Sequence, residues 1–474
     1  MELSIRLKKG GNILAAEITI KEVNAYSAIT PEIYAEAEKT KLNDQIPSSL
    51  YTKFNVKRGL RDLNGKGVLA GLTNVAEVRA KKLVDGEELP DYGRLFYRGY
   101  EIHNLIDGYK KENRFGFEEI AYLLLFGELP NKEELKLFED QLIFYRSLPK
   151  NFVRDVVMKA PGSDMMNVMM RSLLTLHPYD DMANNISLPN VLRQSMQLIS
   201  LFPMIAIYGY QAYRHYELND SLVIHKPLQK GSIAENILHL LRPDKEYSDI
   251  EAKALDTALV LHMDHGGGNN SAFTTHVVTS TQTDTYSAIA AALASLKGPR
   301  HGGANLKVVE MFEDLKKHVT NWEDEGAISD YLNSLLEGNA FDRQGLIYGV
   351  GHAVYSKSDP RAEIFHSYVE ELAKYEGLLE EFALYERVAR LAPEIIGEHR
   401  KMYKGVCVNV DFYSGFAYSM LGLPKELYTP LFAMARIVGW SAHRIEELAN
   451  NGKIIRPAYK SIAPENTYIP MDER

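Results

Sequence analysis

The chain has 474 residues, a formal net charge of -9, and ordinary globular fractions of hydrophobic (45%) and charged (25%) residues. The acidic balance argues against nucleic acid as the main partner, while leaving room for a local basic pocket around an anionic ligand. Cys407 is the only cysteine, so no intramolecular disulfide can form, which fits a reducing cytoplasm.

No signal peptide is expected, because Glu2, Arg6, Lys8 and Lys9 interrupt any apolar core at the start. The longest uncharged run, 194–213, has the length of a membrane span. Gln194, Ser195, Gln197, Ser200, Pro203 and three tyrosines dilute it, so it reads as a helix buried in a core or interface. The expectation is a soluble protein.

Residues 1–55 are mixed and weakly periodic, with helical potential at 33–42. From Gly59 to Ile102, short β-branched and aromatic pieces alternate with glycine around a turn at Asp85-Gly86, which predicts small strands or a hairpin. Nearly everything afterwards has helical periodicity. A helix at 117–126 ends at Gly127, Asn131 caps the next, and Ser163 is expected to cap a Met-rich helix through Leu176. Methionine at those spacings reads as adaptable core. Further helices are predicted at 188–213, 233–241, 250–262 and 283–296, then at 305–318 with Asn305 opening it. The remainder are 328–337, 360–375 with Asp359 as N-cap and Pro360 at the first position, 381–402 bent near Pro393, 411–421, and 426–450. The fold class is all-α with minor β structure near the N-terminus.

The stretch 262–305 concentrates His262, His265, His276 and His301 among glycines. His301 falls in a glycine-bounded corner between two helices, near a helix N-terminus where free N–H groups favour negative charge. His352 follows Gly349 and Gly351 and is compatible with a structural or a catalytic role. Arg361 enters the first turn of a capped helix, a mildly unfavourable place for a cation, which points towards an anion. Asp411 precedes a helix after an apolar run: it is either an N-cap or, in an apolar pocket, a general base of raised pKa. The basic cluster His399, Arg400, Lys401 and Lys404 reads as a solvated face or as a holder of phosphates. Arg436 lies beside an apolar seam, either snorkelling or buried against a carboxylate ligand. Arg456 has no distinguishing context of its own. His262, His265 and His276 raise a metal hypothesis, against which stand the missing HExxH spacing and the lack of a cysteine ligand.

Five segments in order carry a resemblance: RLFYRGYEI (94–102), HMDHGGGNNSAFTTH (262–276), GPRHGGAN (298–305), VGHAVYSKSDPR (350–361) and NVDFYSG (409–415). Together they resemble the citrate synthase family over roughly residues 60 to 460. The resemblance implies a large helical domain, 56–302 and 421–474, and a smaller mobile one, 303–420, with 1–55 outside it. It implies condensation of acetyl-CoA with oxaloacetate and water to citrate and CoA, a reaction of the tricarboxylic acid cycle.

By motif position, Asp411 would be the base, His301 would stabilise the enol or enolate, and His352 would act on the ketone oxygen. His265, Arg361 and Arg436 would bind oxaloacetate, with Arg456 entering from the partner of a homodimer. Lys357 and Lys404 are candidates for the CoA phosphates. The resemblance implies no metal and no permanently bound cofactor, the coenzyme A thioester being a substrate. Two positions depart from the bacterial pattern: Gly266, where members commonly have Glu, and Val408, where proline is common. The rival readings are 2-methylcitrate synthase, acting on propionyl-CoA, and a metal-dependent hydrolase built on His262 and His265.

Overall fold

The computed structural model describes residues 2–10, 13–21, 27, 29–62, 66–400 and 405–474, with backbone alone for 2–10 and 13–21. The chain divides into two compact units, Met1–Ala70 and Gly71–Arg474. In the first, β1 (Glu2–Gly10) pairs antiparallel with β2 (Ile13–Lys21), with Ile5 opposite Ile18. This hairpin was not expected. Its signature is the alternation of Leu3, Ile5 and Leu7 with polar residues, a period of two that reads as strand. Two helices follow, α1 (Pro31–Asn43) and α2 (Ser48–Lys53). Thr30 caps α1, and Pro31 stands at its first position.

The second unit opens with the expected hairpin, β3 (Ala76–Val84) and β4 (Glu87–Tyr97), followed by the short β5 (Tyr100–Glu101). Helices α3 (Ile102–Lys111), α4 (Phe117–Phe126) and α5 (Lys132–Phe144) come next. Asn131 and Glu134 form a reciprocal capping box on α5. Helix α6 (Met165–Leu176) is capped by Asp164, one residue beyond the expected Ser163. Its methionines 165, 166 and 169 are core, as anticipated.

The uncharged run becomes α7 (Leu188–Glu217), buried along most of its length. Among the described residues no helix is long and apolar enough to cross a membrane. After it come α8 (Ile233–Leu241), α9 (Asp249–His262), α10 (Asn270–Thr279) and α11 (Thr285–Lys297). The last group is α12 (Ala304–His318), α13 (Glu325–Leu336), α14 (Pro360–Tyr375), α15 (Leu379–Arg400), α16 (Val410–Met420) and α17 (Tyr428–Ala449).

Helix α17 is the axis of the unit, packed on α7, α9, α10 and α11. Its seam of Leu431, Ala435, Val438 and Ala442 is fully or almost fully buried. Gly439 interrupts that seam because a Cβ there would overlap Asp264 Oδ2 and the carbonyl of Met263. The missing side chain lets the segment after α9 lie directly on the helix. Helices α12, α14 and α16 form a second packed group, and α14 also rests on α9. Two helix starts differ from expectation. Gly303, not Asn305, is the N-cap of α12, and Asn305 is buried within the first turn. Asn409, not Asp411, caps α16, its Oδ1 accepting the Asp411 N–H at 3.0 Å.

Candidate active site

Three segments, together with the corner between α11 and α12 that carries His301, hold the expected residues. The first is the end of α9. Asp264 Oδ1 accepts the Gly266 N–H at 2.7 Å, turning the chain sharply, and Gly266 sits at φ +79°, where a glutamate would be strained. The Tyr97 hydroxyl bonds the carbonyls of Val260 (3.1 Å) and Asp264 (3.2 Å), which explains the place of the 94–102 motif. The His265 ring then meets His352 and Tyr355 edge-on, with centroids at 5.1 and 5.5 Å. Its Nε2 is buried with no hydrogen-bond partner among the described residues.

The second segment pairs 349–351 with 407–409. Gly351 N–H donates to the Cys407 carbonyl (2.8 Å), and Asn409 N–H donates to Gly349 (2.9 Å). Gly349, at φ +78°, leaves no room for a Cβ, which would come within 2.8 Å of Val308 Cγ2. This bridge sets His352 beside the start of α16. His352 Nδ1 accepts the N–H groups of Val354 (3.1 Å) and Tyr355 (3.0 Å), so the proton of a neutral ring resides on Nε2. Asp359 caps α14, grips Arg361 through Nε (3.0 Å) and Nη2 (2.7 Å), and accepts the Val410 N–H (3.3 Å). One buried carboxylate thus ties together the starts of α14 and α16.

Asp411, relieved of capping, has a carboxyl pushed up to about 6 by burial, with Arg361 opposing and Asp359 reinforcing the shift. The side chain retains some solvent access. That combination suits a group that must lose and regain a proton near neutral pH.

The third segment is α17. Arg436 is fully buried, donates from Nε to the His262 carbonyl (2.7 Å), and lies 4.7 Å over Phe432. Its Nη1 and Nη2 have no hydrogen-bond partner among the described residues. Burial lowers its pKa to about 10, still charged at neutral pH. A buried guanidinium with two unused donors is a receptor for a carboxylate.

His262 and His301 pack against the same Phe432 ring, at 4.7 and 6.4 Å. His262 donates from Nδ1 to the Ala258 carbonyl (2.7 Å), and burial holds it down at about 3. Burial, aided by Arg436, depresses His301 to about 4, so it is a neutral imidazole. His301 Nε2 lies 3.1 Å from Ser271 Oγ, which also receives the Trp440 indole N–H at 3.0 Å.

His265, His352 and Arg361 therefore surround Tyr355, while His262, His301 and Arg436 surround Phe432. Both arginines act on the Asp411 carboxyl. The remaining candidates stand apart. Arg456 is exposed in the irregular tail, and Lys357 is exposed with its ammonium 5.5 Å from Tyr92. Lys404 lies outside the described residues.

The trio His262, His265 and His276 is not gathered. His276 turns away to Glu447 and His443, and the one His/acid group of metal-ligand spacing among the described residues is His276, His443 and Glu446. Tyr355, Ser271 and Tyr97 lie inside the motifs read from the sequence, which gave none of them a role. Only Phe432, four residues before Arg436, had a periodic signal.

A helical fold holding neutral imidazoles, one poised carboxyl and buried arginines has the chemistry of acid–base catalysis on a small anionic substrate. Residues 62–458 match the family model "Citrate synthase, C-terminal domain". The chain belongs to the citrate synthase family, whose members are condensing enzymes. A citrate synthase of Haloferax volcanii is 34% identical over 88% of this chain and 99% of its own length. A 2-methylcitrate synthase of Shewanella oneidensis is 33% identical over 80% of this chain and 92% of its own. Among solved structures, a ternary complex of carboxymethyl coenzyme A and oxaloacetate with the citrate synthase of Thermoplasma acidophilum superposes with a TM-score of 0.72. It is 26% identical and covers 88% of this chain and 99% of that one. The Pyrobaculum aerophilum enzyme gives 0.70 at 29% identity, covering 87% and 95%.

Proposed function

We propose that the protein condenses acetyl-CoA with oxaloacetate and water to give citrate and CoA. The observation that carries this reading is the fully buried Arg436 with two unused donors, facing neutral imidazoles and a carboxyl of raised pKa. Asp411 takes a proton from the acetyl methyl, and His301 hydrogen-bonds the thioester oxygen as the enolate forms. The enolate carbon attacks the ketone carbon of oxaloacetate, whose oxygen receives the Nε2 proton of His352. Water then cleaves the thioester, and CoA leaves as the thiol.

Ser271 Oγ donates to Asn269 Oδ1 at 2.9 Å, so His301 donates from Nδ1 only once that hydroxyl proton turns from Asn269 to His301 Nε2. A base contributes about 10²–10⁴-fold and a preorganised oxyanion donor about 10²–10³-fold more. Together they make a weak carbon acid reactive. His265, Arg361 and Arg436 hold oxaloacetate, each charged hydrogen bond being worth about 1.5–3 kcal/mol.

The exposed Arg456 suits entry into a partner's site in a homodimer, and the exposed Lys357 suits contact with a CoA phosphate. Residues 303–420 act as a small domain closing on the large one, so that base and substrate meet only when oxaloacetate is bound. A cytoplasmic location accords with one buried cysteine. The second reading, 2-methylcitrate synthase, is supported by relatives of that name at similar identity. The two acyl groups differ by one methylene, worth about 1–3 kcal/mol in a pocket. Oxaloacetate-dependent thiol release from acetyl-CoA and from propionyl-CoA decides between them. Preference for propionyl-CoA overturns the first reading, and no release from either overturns both.

A further inference from the structure

Behind the cleft, α10 and α17 bring two imidazoles together edge-on, with centroids 4.9 Å apart. His276 Nε2 and His443 Nδ1 are 3.1 Å apart. The far nitrogen of each ring is held by a carboxylate: His276 Nδ1 by Glu447 at 2.8 Å, and His443 Nε2 by the fully buried Asp264 at 3.0 Å. Carboxylates accept only, so both far nitrogens carry protons, and the two near nitrogens of neutral rings would face each other as lone pairs. Such a pair is joined either by one shared proton or by a metal ion that both nitrogens ligate. Glu446, with its side chain 9% exposed, brings Oε2 to 3.9 Å from His443 Nδ1, and this oxygen has no hydrogen-bond partner among the described residues. Its other oxygen accepts the Asn74 N–H at 2.6 Å, which fixes its aim.

We propose that His276, His443 and Glu446 bind a divalent transition-metal ion of the zinc class, with Glu447 and Asp264 orienting the two imidazoles from behind. Tetrahedral zinc with bonds of about 2.0–2.1 Å places its nitrogen ligands roughly 3.3 Å apart, close to the 3.1 Å between the two imidazole nitrogens, while the Glu446 carboxylate, 3.9 Å from His443 Nδ1, must move inward to ligate. A carboxylate behind each ligating imidazole is the usual support of such a site. Gly267 lies against the pair, its would-be Cβ 3.6 Å from His276 Nε2 and 3.7 Å from His443 Cε1. Glu447, behind His276, lines a surface hollow of about 330 Å³. The site is separate from the condensing groups and clamps α10 to α17.

In the metal-free protein the cation is a proton. Burial opposes charge on His443, but Asp264 and Glu446 raise it to about 9. The groups facing the pair are Asp264, Glu446, Glu447 and, more distantly, the Arg98 cation.

The test is titration of chelator-treated full-length protein with Co²⁺ and Zn²⁺. The expected result is one ion per chain, with tetrahedral Co²⁺ bands free of thiolate absorption and Zn²⁺ competing. Glu447→Gln should weaken binding about 10–100-fold, and His276→Gln and Glu446→Gln should weaken it further. Added Zn²⁺ should raise the melting temperature of the wild type and leave Glu446→Gln unmoved. Folding of each variant is checked by circular dichroism, and Glu446→Gln serves if His276→Gln fails to fold. Equal Co²⁺ binding by wild type and variants, an octahedral spectrum, or no uptake up to pH 8 overturns the proposal. None of these readouts depends on condensation activity.

Discussion

The segment 262–276 presents histidines to two opposite environments, and the contrast shows how one residue type is divided between jobs. On the cleft face, His262 and His265 look towards Arg361 and Arg436, and burial with those cations keeps both rings uncharged. On the back face, His276 and His443 look towards Glu447, Glu446 and Asp264, and their pair retains positive charge. Both faces are dry, so desolvation alone does not distinguish them. The sign of the neighbouring charge does. The cleft needs imidazoles that donate and accept hydrogen bonds without repelling an incoming cationic group or binding anions indiscriminately. The back face uses an imidazolium as a fastener, holding Asp264 ionised so that it can turn the chain at Gly266.

The strongest way to break this division is to remove the base. Asp411→Asn should lower the rate of oxaloacetate-dependent thiol release by about 10²–10⁴-fold, while oxaloacetate affinity by calorimetry stays within a few-fold. The substrate-free variant should also be more stable at neutral pH. A carboxyl raised from 3.8 to about 6 contributes stability below pH 3.8 that is lost as pH rises through 6. Replacing it with an amide should therefore raise stability at pH 7 by roughly 1–3 kcal/mol, seen in thermal melts. In the wild type, kcat/KM should fall on the acid side with an apparent pKa near 6. An acid limb below pH 5, or a destabilised Asp411→Asn, would contradict the assignment.

Next in size is the cleft's receptor. Arg436→Leu removes a charged donor pair from a buried site, so KM for oxaloacetate should rise about 10–160-fold, corresponding to 1.5–3 kcal/mol. With the cation gone, His301 should titrate higher, because Arg436 is one cause of its depression. That shift, followed by NMR of the imidazole, separates loss of charge from loss of packing against Phe432. Substitution of Gly439 by alanine perturbs both faces together, since its Cβ would overlap Asp264 Oδ2 and the Met263 carbonyl. A loss of about 1–3 kcal/mol in stability is expected from such overpacking, measured by denaturant unfolding.

Much of this was legible before the structure. Helices α4, α8 and α14 have the expected bounds, because Gly127, the Ser232–Glu235 capping box and the Asp359-Pro360 pair are strong local signals. Errors cluster where two capping residues adjoin. Ser163 competes with Asp164, and Asp411 with Asn409, and tertiary contacts choose between them. The second choice mattered, because it frees Asp411 from the bland role its sequence position suggested. The site's frame was less legible. Tyr355 and Ser271 reach the cleft through a strand bridge and a helix crossing, contacts between residues far apart in sequence that no local period encodes. The back-face pair was hidden for the same reason, His276 and His443 being 167 residues apart.

The smallest expected effect tests the fastener itself. In metal-stripped protein, His443 is raised from 6.5 to about 9, so its contribution is complete below pH 6.5 and is lost as pH rises through 9. Asp264 is depressed from 3.8, burial being outweighed by His443, so its share is present above pH 3.8 and is lost as pH falls through its lowered value. The pair therefore stabilises most between about pH 4 and 6.5. At ~1.4 kcal/mol per unit, the alkaline loss is bounded at about 3.5 kcal/mol, and His443's own part is only a fraction of it because it is shared with Asp264 rather than added to it. Thermal melts of the wild type should decline between pH 7 and 9.5, whereas His443→Gln, less stable overall, should decline less, keeping only the part that buried Asp256 (raised to about 8) and Glu118 (raised to about 7) contribute. A parallel decline in both proteins would place the alkaline sensitivity elsewhere and remove the charge contrast between the two faces.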